Sequence, residues 1–169
     1  EYHIYYQTNN KYEYYSNMIR DASAWYHFLF VYDINNSTTA HKKRFYLNGV
    51  ELTPESEQTP SGSSATNSTS QHWIGRTSGG GSNYYADGYL ADVVMIDGSA
   101  LTPSDITETK NGVLIPKDPS SLTFGTNGFH LKFENASDLG NDSSGNNNDW
   151  TAYNAGADHQ VLDSPTFGS

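Results

Sequence analysis

Eight consecutive residues, Trp25-Tyr26-His27-Phe28-Leu29-Phe30-Val31-Tyr32, are apolar or aromatic except for one histidine. The run is less than half the ~20 residues a membrane-spanning helix needs. Its aromatic and β-branched content favours a strand. It is continuous rather than alternating, which predicts a strand buried on both faces. A polar stretch, Asp33–Lys43, then leads to Arg44–Leu47, and Val50–Leu52 returns after Asn48-Gly49. Asn-Gly tolerates positive φ at both central positions of a tight turn, so it predicts a two-residue hairpin.

The same reading places strands at Tyr2–Gln7, Tyr12–Ile19, Trp73–Gly75, Tyr89–Asp97 and Phe129–Phe133, with two more at Trp150–Tyr153 and Gln160–Leu162. Asn9-Asn10 reads as a turn, and Gly79-Gly80-Gly81-Ser82 as a flexible tip. In Phe129–Phe133 the alternation sets Phe129, Leu131 and Phe133 inward and His130 and Lys132 outward. Residues 53–71 are almost wholly turn formers and read as mobile decoration. Thr102-Pro103-Ser104-Asp105 is a helix start, with Thr as N-cap, Pro next and an acid at the third position, predicting one short helix near 103–109.

Apolar residues make up only 35% of the chain, so the 13 Tyr, 7 Phe and 3 Trp must carry much of the core. The expected core is Trp25, Phe28, Phe30, Trp73, Val94, Ile96, Leu131, Phe133 and Trp150. Many short strands between turn signals predict an all-β, two-sheet antiparallel sandwich of jelly-roll type. Residues 1–115 would form its body. Residues 116–169 would add C-terminal strands and an Asn/Asp/Gly-rich loop, packed on the same sandwich or on a neighbouring copy.

The chain has no cysteine, so disulfides and thiolate metal sites are excluded. This stretch of sequence contains no apolar run near 18 residues and no signal-peptide pattern. Net charge is −10. Residues 1–85 carry six basic and seven acidic groups, whereas residues 86–169 carry three and twelve. That surface repels phosphate backbones and anionic lipids, so neither nucleic acid nor membrane insertion is expected.

No pair of glutamates makes a glycosidase motif, and there is no G-x-S-x-G nucleophile elbow, so no catalytic residue is assigned and no enzyme is expected. The six histidines show no zinc spacing. Asp138, Asp142, Asn146, Asn148 and Asp149 crowd one glycine-bent stretch together with Asn141. Hard oxygen donors there suit Ca²⁺, and the alternative is an Asx-rich turn closed on its own side chains. Tyr84 and Tyr85, beside the glycine tip and Asp87, are the candidates for stacking on a sugar, the alternative being hairpin packing. Asn35, Asn36, Asn67, Asn135 and Asn141 each open an N-x-S/T glycosylation sequon.

Four stretches together resemble the concanavalin A-like, laminin-G-like jelly-roll family. They are Asp21–His27 running into Phe45-Tyr46-Leu47-Asn48-Gly49-Val50; His72-Trp73-Ile74-Gly75-Arg76; Asp87–Val93 followed by Leu101–Ile106; and Gly125–Phe133 with Leu139–Trp150 and Asp163–Thr166. The last is similar to a variant found in phage tail-associated and environmental microbial surface proteins. The resemblance implies a twisted two-sheet sandwich, often a sugar- or protein-binding module and often with calcium; an extracellular, cell-surface or virion location is expected. It does not imply one function. Two features depart from the family pattern. The front strands usual in the family are not within this sequence, being either supplied by a neighbouring copy or lying outside this stretch of chain, and the front-like piece Leu131-Lys132-Phe133 with Asp142-Ser143-Ser144-Gly145-Asn146 stands near the end. A strand of one copy completing the next would give a head-to-tail filament of copies of the chain, and this non-catalytic structural role is the leading expectation. The alternative is a glycan-binding, lectin-like module.

Overall fold

The computed structural model describes residues 2–8, 11–19, 21–55, 67–79 and 82–162, with side chains left out for 2–18, 77–79 and 82–84. The Asn9-Asn10 turn, most of the 53–71 loop, the glycines at 80 and 81, and the end of the 160–167 segment lie outside the described residues.

The described chain is all-β, and every strand pairing is antiparallel. The strands are β1 (Tyr2–Thr8), β2 (Lys11–Ile19), β3 (Phe28–Tyr32), β4 (Lys43–Leu47), β5 (Val50–Glu51), β6 (Arg76–Gly79), β7 (Ser82–Tyr85), β8 (Val93–Met95), β9 (Thr107–Lys110), β10 (Val113–Pro116) and β11 (Phe129–Leu131). Helix α1 (Pro103–Ile106) follows β8 in sequence. Single 3₁₀ turns occupy Thr39–His41, Pro119–Ser121 and Ala157–His159. The pairings are β1 with β2, β3 with β4 with β5, β6 with β7, β9 with β10, and β8 with β11.

Two compact units are built from these elements. One takes Glu1–Ser63 and Gly98–Leu122; the other takes Ser64–Asp97 and Thr123–Leu162. Each therefore draws on both sides of position 115.

In the first unit the expected hairpin forms. Leu47 faces Val50, with Asn48 at φ 49° and Gly49 at φ 78°. The Asn48 side chain also accepts the His27 N–H at 2.8 Å, and its own N–H donates to the His27 carbonyl. Phe30 sits opposite Phe45 with ring centroids 4.5 Å apart, a cross-strand aromatic pair. Val31, Tyr46, Leu52 and Ile115 are buried. The three expected core residues of this unit fit less tightly, Phe30 being half-buried. Phe28 is 46% exposed because it opens β3 at the sheet's hairpin end. Trp25 is half-buried, since the strand starts at Phe28 rather than at Trp25.

The expected helix start is also present, four residues long rather than the seven the sequence suggested. The Asp105 carboxylate accepts both the N–H and the hydroxyl of Thr102 at 2.7 Å, and these two bonds hold it below the usual carboxylate range. Asn111-Gly112, at φ 52° and 80°, makes a second hairpin of the same type, turning β9 into β10.

The second unit is centred on β11, all three of whose residues are buried. Leu131 is inward as expected, but the outward assignment of His130 is wrong: it is 2% exposed. Its ring stacks on Phe124, and Nε2 lies 3.0 Å from an Asp92 carboxylate oxygen, so the strand's second face is covered as well. Strand β11 pairs with β8 of its own chain. It ends before Phe133, which turns to φ 57°. The long strand expected over Tyr89–Asp97 is confined to β8, because Asp92 takes φ 49°.

Three expected strands are absent. Trp73–Gly75 is a bend set by Gly75 at φ 74°, and the strand starts at Arg76. Trp150–Tyr153 makes no ladder; the Trp150 N–H donates instead to the Gly140 carbonyl. In Gln160–Leu162 the Gln160 side chain bonds to the carbonyls of Phe133 and Glu134 while Leu162 is fully exposed. Val94, Ile96, Phe133 and Trp150 are half-buried.

Candidate functional site

The hairpin of β6 and β7 sets Arg76 directly opposite Tyr85. The Arg76 guanidinium carbon lies 4.1 Å from the centroid of the Trp73 ring and 5.9 Å from that of Tyr85. One planar cation is thus engaged by two aromatic rings, an arrangement that favours Arg and stiffens all three side chains. Trp73, expected in the core, is 37% exposed, because the Gly75 bend places it outside the strand where Arg76 can cover it. Tyr85 is 70% exposed and Tyr89 68%. Asp87, also exposed, lies between them in sequence. The side chain of Tyr84 lies outside the described residues. An exposed ring held at the end of a hairpin, with a carboxylate two residues further along the chain, has the chemistry to stack on the C–H face of a sugar and bond its hydroxyls. The sequence pointed to Tyr85 and Asp87. It missed Trp73 and Arg76, although an indole three residues before an arginine was a readable cue.

The Asn/Asp/Gly-rich stretch has a different geometry. Asp142 Oδ1 accepts the N–H groups of His130 and Ser144, each at 2.8 Å. Its Oδ2 accepts the Ser144 hydroxyl at 2.8 Å and the Asn148 N–H at 2.9 Å. Burial pushes this carboxyl's pKa up, but the four hydrogen bonds outweigh it and hold the group below the usual carboxylate range. The Asp142 N–H donates to Asp149. The Asn146 amide donates to the carbonyls of Gly125 and Gly128, and the Asn148 amide to those of Thr126 and Gly128. Asparagine suits this work because one NH₂ reaches two carbonyls. The stretch thereby staples the chain that enters β11. Among the described residues no group of three or more His, Asp or Glu is placed to hold a metal ion. Asp142, its oxygens already turned to protein donors, does not fit Ca²⁺ ligation. The expected outcome is one melting temperature in EDTA and in millimolar Ca²⁺; a rise with Ca²⁺ that Asp142→Ala removes would restore the calcium reading.

The sequon residues stand in varied settings. Asn35, Asn135 and Asn141 are exposed, with Asn135 Oδ1 accepting the Ser137 N–H. The amide of Asn36 donates to Asp33, and that of Asn67 to Asp97.

Residues 1–107 match the concanavalin A-like lectin/glucanases superfamily. The chain belongs to this superfamily. No curated protein and no solved structure matches it. Membership places the antiparallel strands in the jelly-roll sandwich class, and concanavalin A-like, laminin-G-like domains serve lectin-like or structural roles. The match takes in the whole Trp73–Arg76–Tyr85 platform and ends before the Asp142 staple. No helix among the described residues is long and apolar enough to cross a membrane.

Proposed function

We propose that this concanavalin A-like domain is a non-catalytic, lectin-like module that binds glycans outside the cell through the Trp73–Arg76–Tyr85 platform. The observation that carries the reading is Tyr85, 70% exposed yet fixed opposite an arginine that is itself stacked on Trp73. A ring so placed loses little freedom when a sugar covers it, and aromatic contacts of this kind are worth ~0.5–1.5 kcal/mol each. Asp87 and the edge of Tyr89 supply polar partners on the same stretch of chain. Affinity electrophoresis through a panel of soluble neutral polysaccharides tests the reading. At least one should retard the native protein. Tyr85→Ala and Trp73→Ala should each weaken binding about tenfold with an unchanged melting temperature. Retardation undiminished in both variants would overturn the reading, as would new reducing ends in the retarding polysaccharide.

A further inference from the structure

A concavity lies in the unit that contains β11, within residues 136–156. It is an open cleft of about 460 Å³, a size typical of small-ligand sites. Ser137, Asp138, Leu139, Asp149, Trp150 and Thr151 line it together with small residues. None of this belongs to the part of the chain matched to the superfamily, which ends at residue 107. We infer that this cleft binds a sugar bearing a free primary ammonium group, an amino sugar.

Three observations converge on that chemistry. The wall is pre-organised. The Trp150 N–H bonds to the Gly140 carbonyl at 2.8 Å, and the indole packs edge-on against buried Phe129, with centroids 5.1 Å apart. Asp149, which lines the cleft, is held by the Asp142 N–H on Oδ1. The turn carrying Asp138 is closed by backbone bonds from Asp138 to Asn135 and from Asn141 to Asp138.

The charge has one sign. Two carboxylates line the cleft with no lysine or arginine, so it repels uronic or sulfated sugars and attracts a cation. Among the described residues the Asp138 carboxylate has no hydrogen-bond partner of its own.

The remaining lining is that of a saccharide site rather than a bare ammonium site. An indole attracts both an ammonium and a C–H-rich ring face. The hydroxyls of Ser137 and Thr151 can each donate and accept, as sugar hydroxyls require. A metal ion would leave the indole and Leu139 unused. A linear polyamine would leave the hydroxyls unused.

Calorimetric titration of the full chain with a glucosamine dimer tests the inference, at a pH where the amine is protonated and the carboxylates are ionised. The N-acetylated dimer and spermidine serve as parallel probes. The free-amine dimer should bind at least ten times more tightly than either. Asp138→Asn, an exposed substitution outside the staple, should remove most of that preference at an unchanged melting temperature. Glu108→Gln, an exposed acid elsewhere, should leave it intact, which separates the cleft from general attraction to a chain of net charge −10. Tyr85→Ala should also leave it intact, so failure here and failure of the Tyr85 platform are read separately. Equal binding of the acetylated dimer would overturn the role of charge. Equal binding of spermidine would overturn the sugar. No binding, or loss with Glu108→Gln equal to that with Asp138→Asn, would overturn the site.

Discussion

Asp142→Ala is expected to lower unfolding free energy by about 3–5 kcal/mol. The side chain is 7% exposed and accepts four hydrogen bonds from three residues. Two of the donors belong to residues far along the chain from the carboxylate's own turn or across it: His130 in β11 and Asn148 beyond the Gly145 bend. Removing the acceptor leaves buried N–H groups without partners, and each such group costs about 1–3 kcal/mol. Asp142→Asn keeps one acceptor oxygen and should lose roughly half as much. The effect has a defined pH dependence. The folded-state pKa is lowered, so the carboxylate's contribution is fully present above its unfolded value of about 3.9 and fades as pH falls through the lower folded value. Urea unfolding of native and Asp142→Asn proteins should therefore show a gap at neutral pH that narrows below about pH 4. A loss under about 1 kcal/mol for the alanine variant would show that the staple does not hold β11.

Gly140→Ala should cost about 3 kcal/mol, the upper end of the usual overpacking range. A Cβ built on Gly140 would lie 1.6 Å from the Trp150 carbonyl oxygen and 2.5 Å from its carbon. Both atoms are backbone, so neither can rotate away. The methyl group must separate Gly140 from Trp150, breaking the 2.8 Å bond between them and shifting the indole off Phe129. The same substitution at Gly145 makes a useful contrast. Nothing lies within 4 Å there, and only the positive φ of 92° resists a side chain, so a loss of about 1 kcal/mol is expected. Thermal melts of the two variants should differ clearly in midpoint. Equal midpoints would mean that the close approach at Gly140 is not enforced in the folded protein.

The two results bear on function differently. The staple and the Gly140 contact hold the cleft wall in place, whereas the Tyr85 platform stands on its own hairpin. Substitutions at Asp142 or Gly140 should therefore impair the proposed amino-sugar site through stability, and Tyr85→Ala should impair the proposed polysaccharide binding without it.

Features encoded within a few residues were legible from the sequence. Asn48-Gly49 determined a hairpin, because the two residues best suited to positive φ stand between strand formers; Asn111-Gly112 obeys the same rule and was open to the same reading. Thr102-Pro103-Ser104-Asp105 determined a capped helix start, because the acid reaches back only three residues. The order of turn signals and aromatic strands determined the fold class. Burial was another matter. Alternation along Phe129–Phe133 assigned His130 to solvent, but Phe124 and Asp92, six and 38 residues away, cover that face. Trp73 and Phe28 were assigned to the core for their size, yet the Gly75 bend and the end of β3 leave them open. The acidic and amide residues at 138–149 have the composition of a calcium loop and of a self-bonded turn alike. Only the placement of β11, whose His130 N–H arrives at Asp142 from twelve residues away, engaged that carboxylate in the fold. Sequence spacing carries the short-range hydrogen bonds. Which faces are covered, and which oxygens remain for a ligand, depends on segments that only the tertiary structure brings together.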